Sequence, residues 1–299
     1  MPHPRGVPEE HQPEERPEDE RPEELPKTSS MPSGEPKEQA ELFRDVLLAL
    51  EKNRVPYAVS GAFALRHHTG ICRFTKDLDL FVTARNCAAA LCCLTQAGME
   101  CDIKDPVWLA KARRDGFFVD LITGMSNGLI VVEDSWIERS CPAVVYGVET
   151  RVLAAEELMA SKIFVARRER FDGADIAHIV YSTYGSFDWK RELELMGEHW
   201  EMLLWSLVLF RYVYPAQSHH VPAEVWCDLL RRFERELLHP NPQAPFRGSL
   251  VDDYMFAIDV NEWEMANLLE ETRKMRLAQI GRVEAVNGQP ACDVTRKAV

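Results

Sequence analysis

Asp77 and Asp79 stand one residue apart in the run Arg73-Phe-Thr-Lys-Asp-Leu-Asp-Leu-Phe-Val82, whose intervening positions are apolar. On a β-strand both carboxylates leave the same face, about 7 Å apart along the backbone, while Leu78, Leu80 and Val82 face the other way. Two like charges about 4 Å apart repel by about 4 kcal/mol at an effective dielectric near 20, so a fold that keeps such a pair usually supplies a cation. Magnesium suits the position, because it takes oxygen ligands and is commonly held by one or two carboxylates together with substrate phosphates. The competing reading is a solvated strand that alternates Asp with Thr, or an Asp that caps a turn.

Two further features share this chemistry. Ser60-Gly61-Ala62 lies where a strand hands over to a helix, a place where a small residue lets backbone amides approach an anion such as a triphosphate. Such a turn is also common for purely structural reasons. Asp120 is the polar residue inside the apolar run Phe117 to Ile122. On an interior strand paired beside the first, it would bring a third carboxylate to the same place; otherwise it caps a turn. Three carboxylates on two adjacent strands can bind two magnesium ions, which neutralise phosphate oxygens and both the attacking and leaving groups of an in-line displacement.

The elements that must position these residues follow from periodicity. Leu42, Phe43, Val46, Leu47 and Leu50 recur at three and four residues and predict an amphipathic helix over 38–53. A short strand over 57–60 then runs through the Gly61 turn into a helix. Beyond the Asp77/Asp79 strand, a helix is expected over 84–97 with Gly98 at its end, then a strand over 99–103. A short helix is expected over 108–113, a strand over 117–122, and strands over 143–146 and 148–152. The pattern then turns helical, with helices expected over 156–170, 174–184, 189–214 in one or two pieces, and 223–238. The fold class is therefore α/β (α+β): a mixed-sheet domain over 39–152 followed by an all-helical lobe over 153–281.

The chain's 299 residues carry a formal net charge of −13. Residues 1–38 hold five basic against eleven acidic residues and nine of the eighteen prolines, which reads as a disordered acidic tail. The remainder keeps −7, which argues against broad coating of nucleic acid but allows a local basic pocket. Residues 282–299 read as a second, flexible tail. With no signal-like stretch and no run of about twenty apolar residues, the expected location is cytoplasmic, without membrane partners. The eight cysteines form neither a Cys-x-x-Cys pair nor a zinc-like cluster, so reduced, mostly buried thiols are expected. His67-His68 reads as partly buried polar residues beside the Gly61 turn, and the aromatic residues between Trp200 and Tyr214 as helical core.

A Gly-containing turn, an Arg-x-Thr-x-Asp-x-Asp strand with Asp77 sixteen residues after Gly61, and a separate apolar-Asp-apolar strand together resemble the nucleotidyltransferase fold of the DNA polymerase beta superfamily. The likeness is greatest to its minimal bacterial type, which includes antibiotic nucleotidyltransferases and abortive-infection toxin-type nucleotidyltransferases. Arg73, Thr75, Asp77, Asp79 and Asp120 match the pattern. The turn departs from it, with Gly61-Ala62 where the family usually has Gly-Gly or Gly-Ser. Further on, Glu156 to Lys162 and Arg167 to Asp175 resemble the family's helical Lys followed by an Arg-Phe-x-Asp-x-x-Asp element.

The resemblance implies a Mg²⁺-dependent transfer of a nucleoside monophosphate from an NTP such as ATP to an acceptor, with release of pyrophosphate. It implies Asp77 and Asp79 as metal ligands and Asp120 as a third ligand or the base. Ser60 and Gly61 would hold phosphates, with Arg73 and Lys162 balancing their charge. Arg167 and Arg168 read equally as a solvated basic face, and Asp172 and Asp175 as partners of Arg170, as caps or as substrate contacts. The acceptor is left open among a small molecule, a protein and an RNA end, and the toxin-type relatives add an antitoxin-like partner. The alternative is a catalytically inactive nucleotide- or protein-binding module on the same fold.

Overall fold

The central strand of the molecule is β2 (Asp77–Phe81), in which Leu78 and Leu80 are fully buried while Asp77 and Asp79 stay partly accessible on the opposite face. This computed structural model describes residues 36–287; the acidic tail before Pro36 and residues 288–299 lie outside the described residues. β2 lies between β1 (Ala58–Val59), which is antiparallel to it, and β5 (Phe117–Ile122), which is parallel. On one side β4 (Leu109–Arg114) pairs antiparallel with β5, and β3 (Glu100–Asp105) pairs antiparallel with β4 at the edge. On the other, β7 (Val148–Val152) runs parallel to β1 and carries β6 (Cys141–Val145) at the edge. The resulting mixed sheet of seven strands has the order β3-β4-β5-β2-β1-β7-β6.

The buried stripe of α1 (Lys37–Lys52), Leu42, Phe43, Val46, Leu47 and Leu50, joins the sheet's apolar face in one core. α3 (Ala84–Gln96) adds Leu91 and Leu94 to it, and the short α4 (Asp134–Arg139) adds Trp136. α2 (Gly61–Thr69) starts directly after β1, so its N-terminus opens beside β2. After β7 the chain is mostly helical: α5 (Ala155–Ile163), α6 (Gly173–Ser182), α7 (Trp189–Met196), α8 (Trp200–Val213) and α9 (Ala223–Leu238), then the short α10 (Gly248–Val251) and α11 (Ala257–Asn261). The same core continues into them through Leu158, Ile179, Leu203, Phe210 and Leu229.

Three elements differ from the sequence expectation. Residues 108–113, expected as a helix, form strand β4; Leu, Ala, Lys and Arg are good helix formers, but pairing with β3 and β5 on both sides overrides that preference. The helix expected over 156–170 stops at Ile163. A small hairpin, β8 (Ala166–Arg167) and β9 (Arg170–Phe171), follows it, closed by the Asp172 amide donating to the Val165 carbonyl at 3.0 Å. A helix α12 (Leu268–Asn287) also extends past the expected start of the C-terminal tail. It returns to the sheet, where Arg273 pairs with Asp105 at 2.9 Å and donates to the Ser126 carbonyl at 2.6 Å. Among the described residues no helix is long and apolar enough to cross a membrane.

Candidate active site

Parallel pairing of β2 with β5 sets Asp79 opposite Asp120, and the two-residue period of the strand puts Asp77 on the same face. The ligand oxygens of Asp77, Asp79 and Asp120 all lie within 4.8 Å of one another. Burial, reinforced by the charges of Asp77 and Asp120, pushes the Asp79 carboxyl up to about 7. Burial raises Asp120 as well, against the opposing pull of Lys111, whose ammonium lies 2.6 Å from Asp120 Oδ1.

The loop before β2 fixes the first carboxylate. Thr75 Oγ1 donates to Asp77 Oδ1 at 2.8 Å, and the buried Gln39 amide of α1 donates to the Thr75 carbonyl at 3.0 Å. Across from them, the Ser60 amide donates to the Asp79 carbonyl at 2.8 Å. Gly61, at φ +57°, is placed so that a Cβ would sit 2.0 Å from Asp79 Oδ2. Glycine is required there twice over, by the left-handed backbone and by the carboxylate lying against the start of α2. The sequence reading gave Gly61 the task of admitting phosphates; the geometry adds that it admits Asp79.

These residues line a cavity of about 480 Å³, within the usual range for a small-molecule site. Ser60, Gly61, Arg73, Asp77, Asp79, Asp120 and Lys162 all line it, so every residue picked from sequence is brought to one place. The opposite wall is cationic and already paired. Lys162 is buried, with its Nζ 2.9 Å from Asp172 Oδ2 and 2.8 Å from Asp175 Oδ2. Arg170 makes a two-pronged contact with Asp172 at 2.9 Å for each bond, and Arg73 pairs with Asp175. Burial alone would raise Asp172, but Arg170 and Lys162 hold it below the usual carboxylate range. Of the readings open for Asp172 and Asp175, ion pairing is therefore the one observed; the Asp172 side chain does not cap α6.

Lys111 and Gln39, which hold cavity-lining residues from behind, are residues that the sequence reading missed, Lys111 because it fell inside the segment expected to be helical. Arg170 pairs with Asp172 as expected, and its own place in the cavity lining is new. Arg167 also lines the cavity, donating to Ser126 Oγ at 3.2 Å. The histidine pairs His67-His68 and His219-His220 stay outside it: His68 Nε2 lies 2.7 Å from the Leu153 carbonyl oxygen, and His220 stacks on Tyr184 at 4.4 Å. Trp200 and Phe210 belong to the core as expected, whereas Trp205 and Tyr212 are exposed.

The donor set fits a hard divalent cation such as magnesium. It is all oxygen and it comes from two directly paired strands, and the raised Asp79 carboxyl registers first its burial and then the crowded charge of Asp77 and Asp120. A mixed sheet with this carboxylate set packed against a helix N-terminus, both lining a cavity of small-molecule size, defines a nucleotidyltransferase-type protein. The chain belongs to the family described as nucleotidyl transferase of unknown function (DUF2204), whose model matches residues 39–201.

Solved structures similar to the chain include the antibiotic-resistance factor ANT(2'')-Ia, at 16% identity over 61% of this chain and 96% of that one, with a TM-score of 0.38. An antigenic nucleotidyltransferase-like protein from Paracoccidioides brasiliensis aligns at 16% identity over 58% of this chain and 93% of that one, TM-score 0.35. JHP933 from Helicobacter pylori aligns at 13% identity over 84% and 94%, TM-score 0.33. No curated protein matches the chain.

Proposed function

We propose that the protein moves a nucleoside monophosphate from an NTP to an acceptor hydroxyl or phosphate and releases pyrophosphate, with magnesium as the metal. The observation that carries this reading is the convergence of Asp77, Asp79 and Asp120 beside the N-terminus of α2, within one cavity. Asp77 and Asp79 would hold the metal, which would supply positive charge to the triphosphate oxygens. The unpaired backbone amides of the α2 N-terminus, from Gly61 onward, face the phosphates, and Ser60, whose own amide is spent on the Asp79 carbonyl, offers its hydroxyl. Arg73 and Lys162 face the same space and offset charge as pyrophosphate leaves. The acceptor oxygen attacks the α-phosphorus, the bond from that phosphorus to the bridging oxygen breaks, and the acceptor's proton passes to a carboxylate, for which Asp120 is the candidate.

The test is label transfer. With each NTP labelled at the α-phosphate, incubated with Mg²⁺ and cell extract, label should move to an acceptor, and with γ-label it should appear in pyrophosphate. Both signals should vanish in D77N/D79N. Nucleotide binding without any transfer would instead identify a binding module.

A further inference from the structure

At one level of the sheet, four charged residues stand in a row on neighbouring strands. Asp79 of β2 is in register with Asp120 of β5, Asp120 with Lys111 of β4, and Lys111 with Asp102 of β3. Lys111 lies between two carboxylates, yet its ammonium is given to Asp120 at 2.6 Å. Asp102 is taken by Lys104 at 2.6 Å and Arg113 at 2.7 Å. The lysine is further fixed by the Phe118 ring, whose centroid is 4.0 Å from Nζ.

We infer that Lys111 is a positioning residue that occupies one side of Asp120, so that the carboxylate row takes a single divalent ion with the nucleotide instead of two. This rests on the nucleotidyl-transfer reading above. A second ion shared by Asp120 would have to sit beside a fixed ammonium whose other flank is already matched. Asp77 and Asp79 carry no such lysine, so the ion belongs between them, and Lys111 supplies on the acceptor side the positive charge that a second ion would bring. Asp120 is thereby held in place for the acceptor, with its second oxygen left to accept a proton.

The experiment counts Mn²⁺ bound per chain by electron paramagnetic resonance, on the full-length protein with a saturating non-hydrolysable NTP analogue. Wild type and K111R should each bind one ion, and K111M should bind two. Transfer by K111M should still fall by about a hundredfold, because the second ion replaces the ammonium's charge but not its hold on Asp120, with little change in the KM for NTP, because the nucleotide side is untouched. Two ions in wild type, or one in a folded K111M, would overturn the inference and leave the nucleotidyl-transfer reading standing. No ion bound by wild type would defeat both. The wild-type and K111R counts decide the matter even if K111M does not fold.

Discussion

On the sheet wall of the cavity, three carboxylates crowd within 4.8 Å and the Asp79 proton is held up to about 7. On the helical wall, Lys162 sits between Asp172 and Asp175, which Arg170 and Arg73 cover from outside. Both walls are charged and partly buried, but only the second is balanced by its own residues. A frustrated wall facing a satisfied one is what a site needs if its missing charge arrives with a ligand. The sheet wall asks for cations, and the helical wall holds cations that can exchange carboxylate partners for phosphate.

Breaking the sheet wall should have the largest effect on activity. D77N/D79N should reduce label transfer by about a thousandfold or more, while the fold survives or gains stability because repulsion is removed; both are read by transfer assay and thermal melt. The helical wall should answer in the opposite way. K162A leaves Asp172 and Asp175 buried without their shared cation and should cost about 3–5 kcal/mol of stability by chemical denaturation. If K162A folds as firmly as wild type, the helical wall is not balanced in the way described.

G61A should cost about 1–3 kcal/mol through the left-handed backbone, and its Cβ should displace the Asp79 carboxylate. Weaker Mn²⁺ affinity measured by titration calorimetry would register that displacement. pH sharpens the comparison further. Because Asp79 is raised above its unfolded value near 3.8, the folded protein holds a proton that the unfolded chain has lost. Its contribution to apo stability therefore declines as pH rises from about 4 to 7. The same proton competes with metal, so Mn²⁺ affinity should rise up to about tenfold per pH unit below 7 and level off above it.

A smaller effect is expected away from the cavity at Glu192, which is fully buried on α7 with neither carboxylate oxygen partnered. Burial, helped by Glu156 and Glu157, raises its carboxyl well above the usual range. Stability tied to this group is likewise lost with rising pH. E192Q should melt a few degrees higher than wild type at pH 8, with the gap narrowing toward pH 5.

Much of the sheet wall was legible in the sequence because strand period and charge act locally. Asp-Leu-Asp-Leu and Phe-Val-Asp-Leu state their faces directly, and the β2–β5 pairing needed only their adjacency. Lys111 was not legible. Leu109, Ala110, Lys111, Ala112 and Arg113 suit a helix by propensity, and only the long-range pairing of β4 with β3 and β5 makes them a strand. The helical wall was half legible: Lys162 and the two aspartates were singled out, but their mutual pairing depends on the hairpin of β8 and β9, which local helix formers such as Glu169 and Arg170 conceal. α12 escaped notice because its apolar residues mark no single face, and its attachment through Arg273 is a contact across 168 residues of chain.

The most direct measurement of the central claim is thermal stability of wild type and D77N/D79N at pH 8, with and without Mg²⁺ and NTP. The account predicts that the apo double variant melts at or above wild type, and that Mg²⁺ with NTP stabilises wild type by several degrees while leaving the variant unmoved. Equal stabilisation of both proteins would place the metal and nucleotide elsewhere and contradict the account.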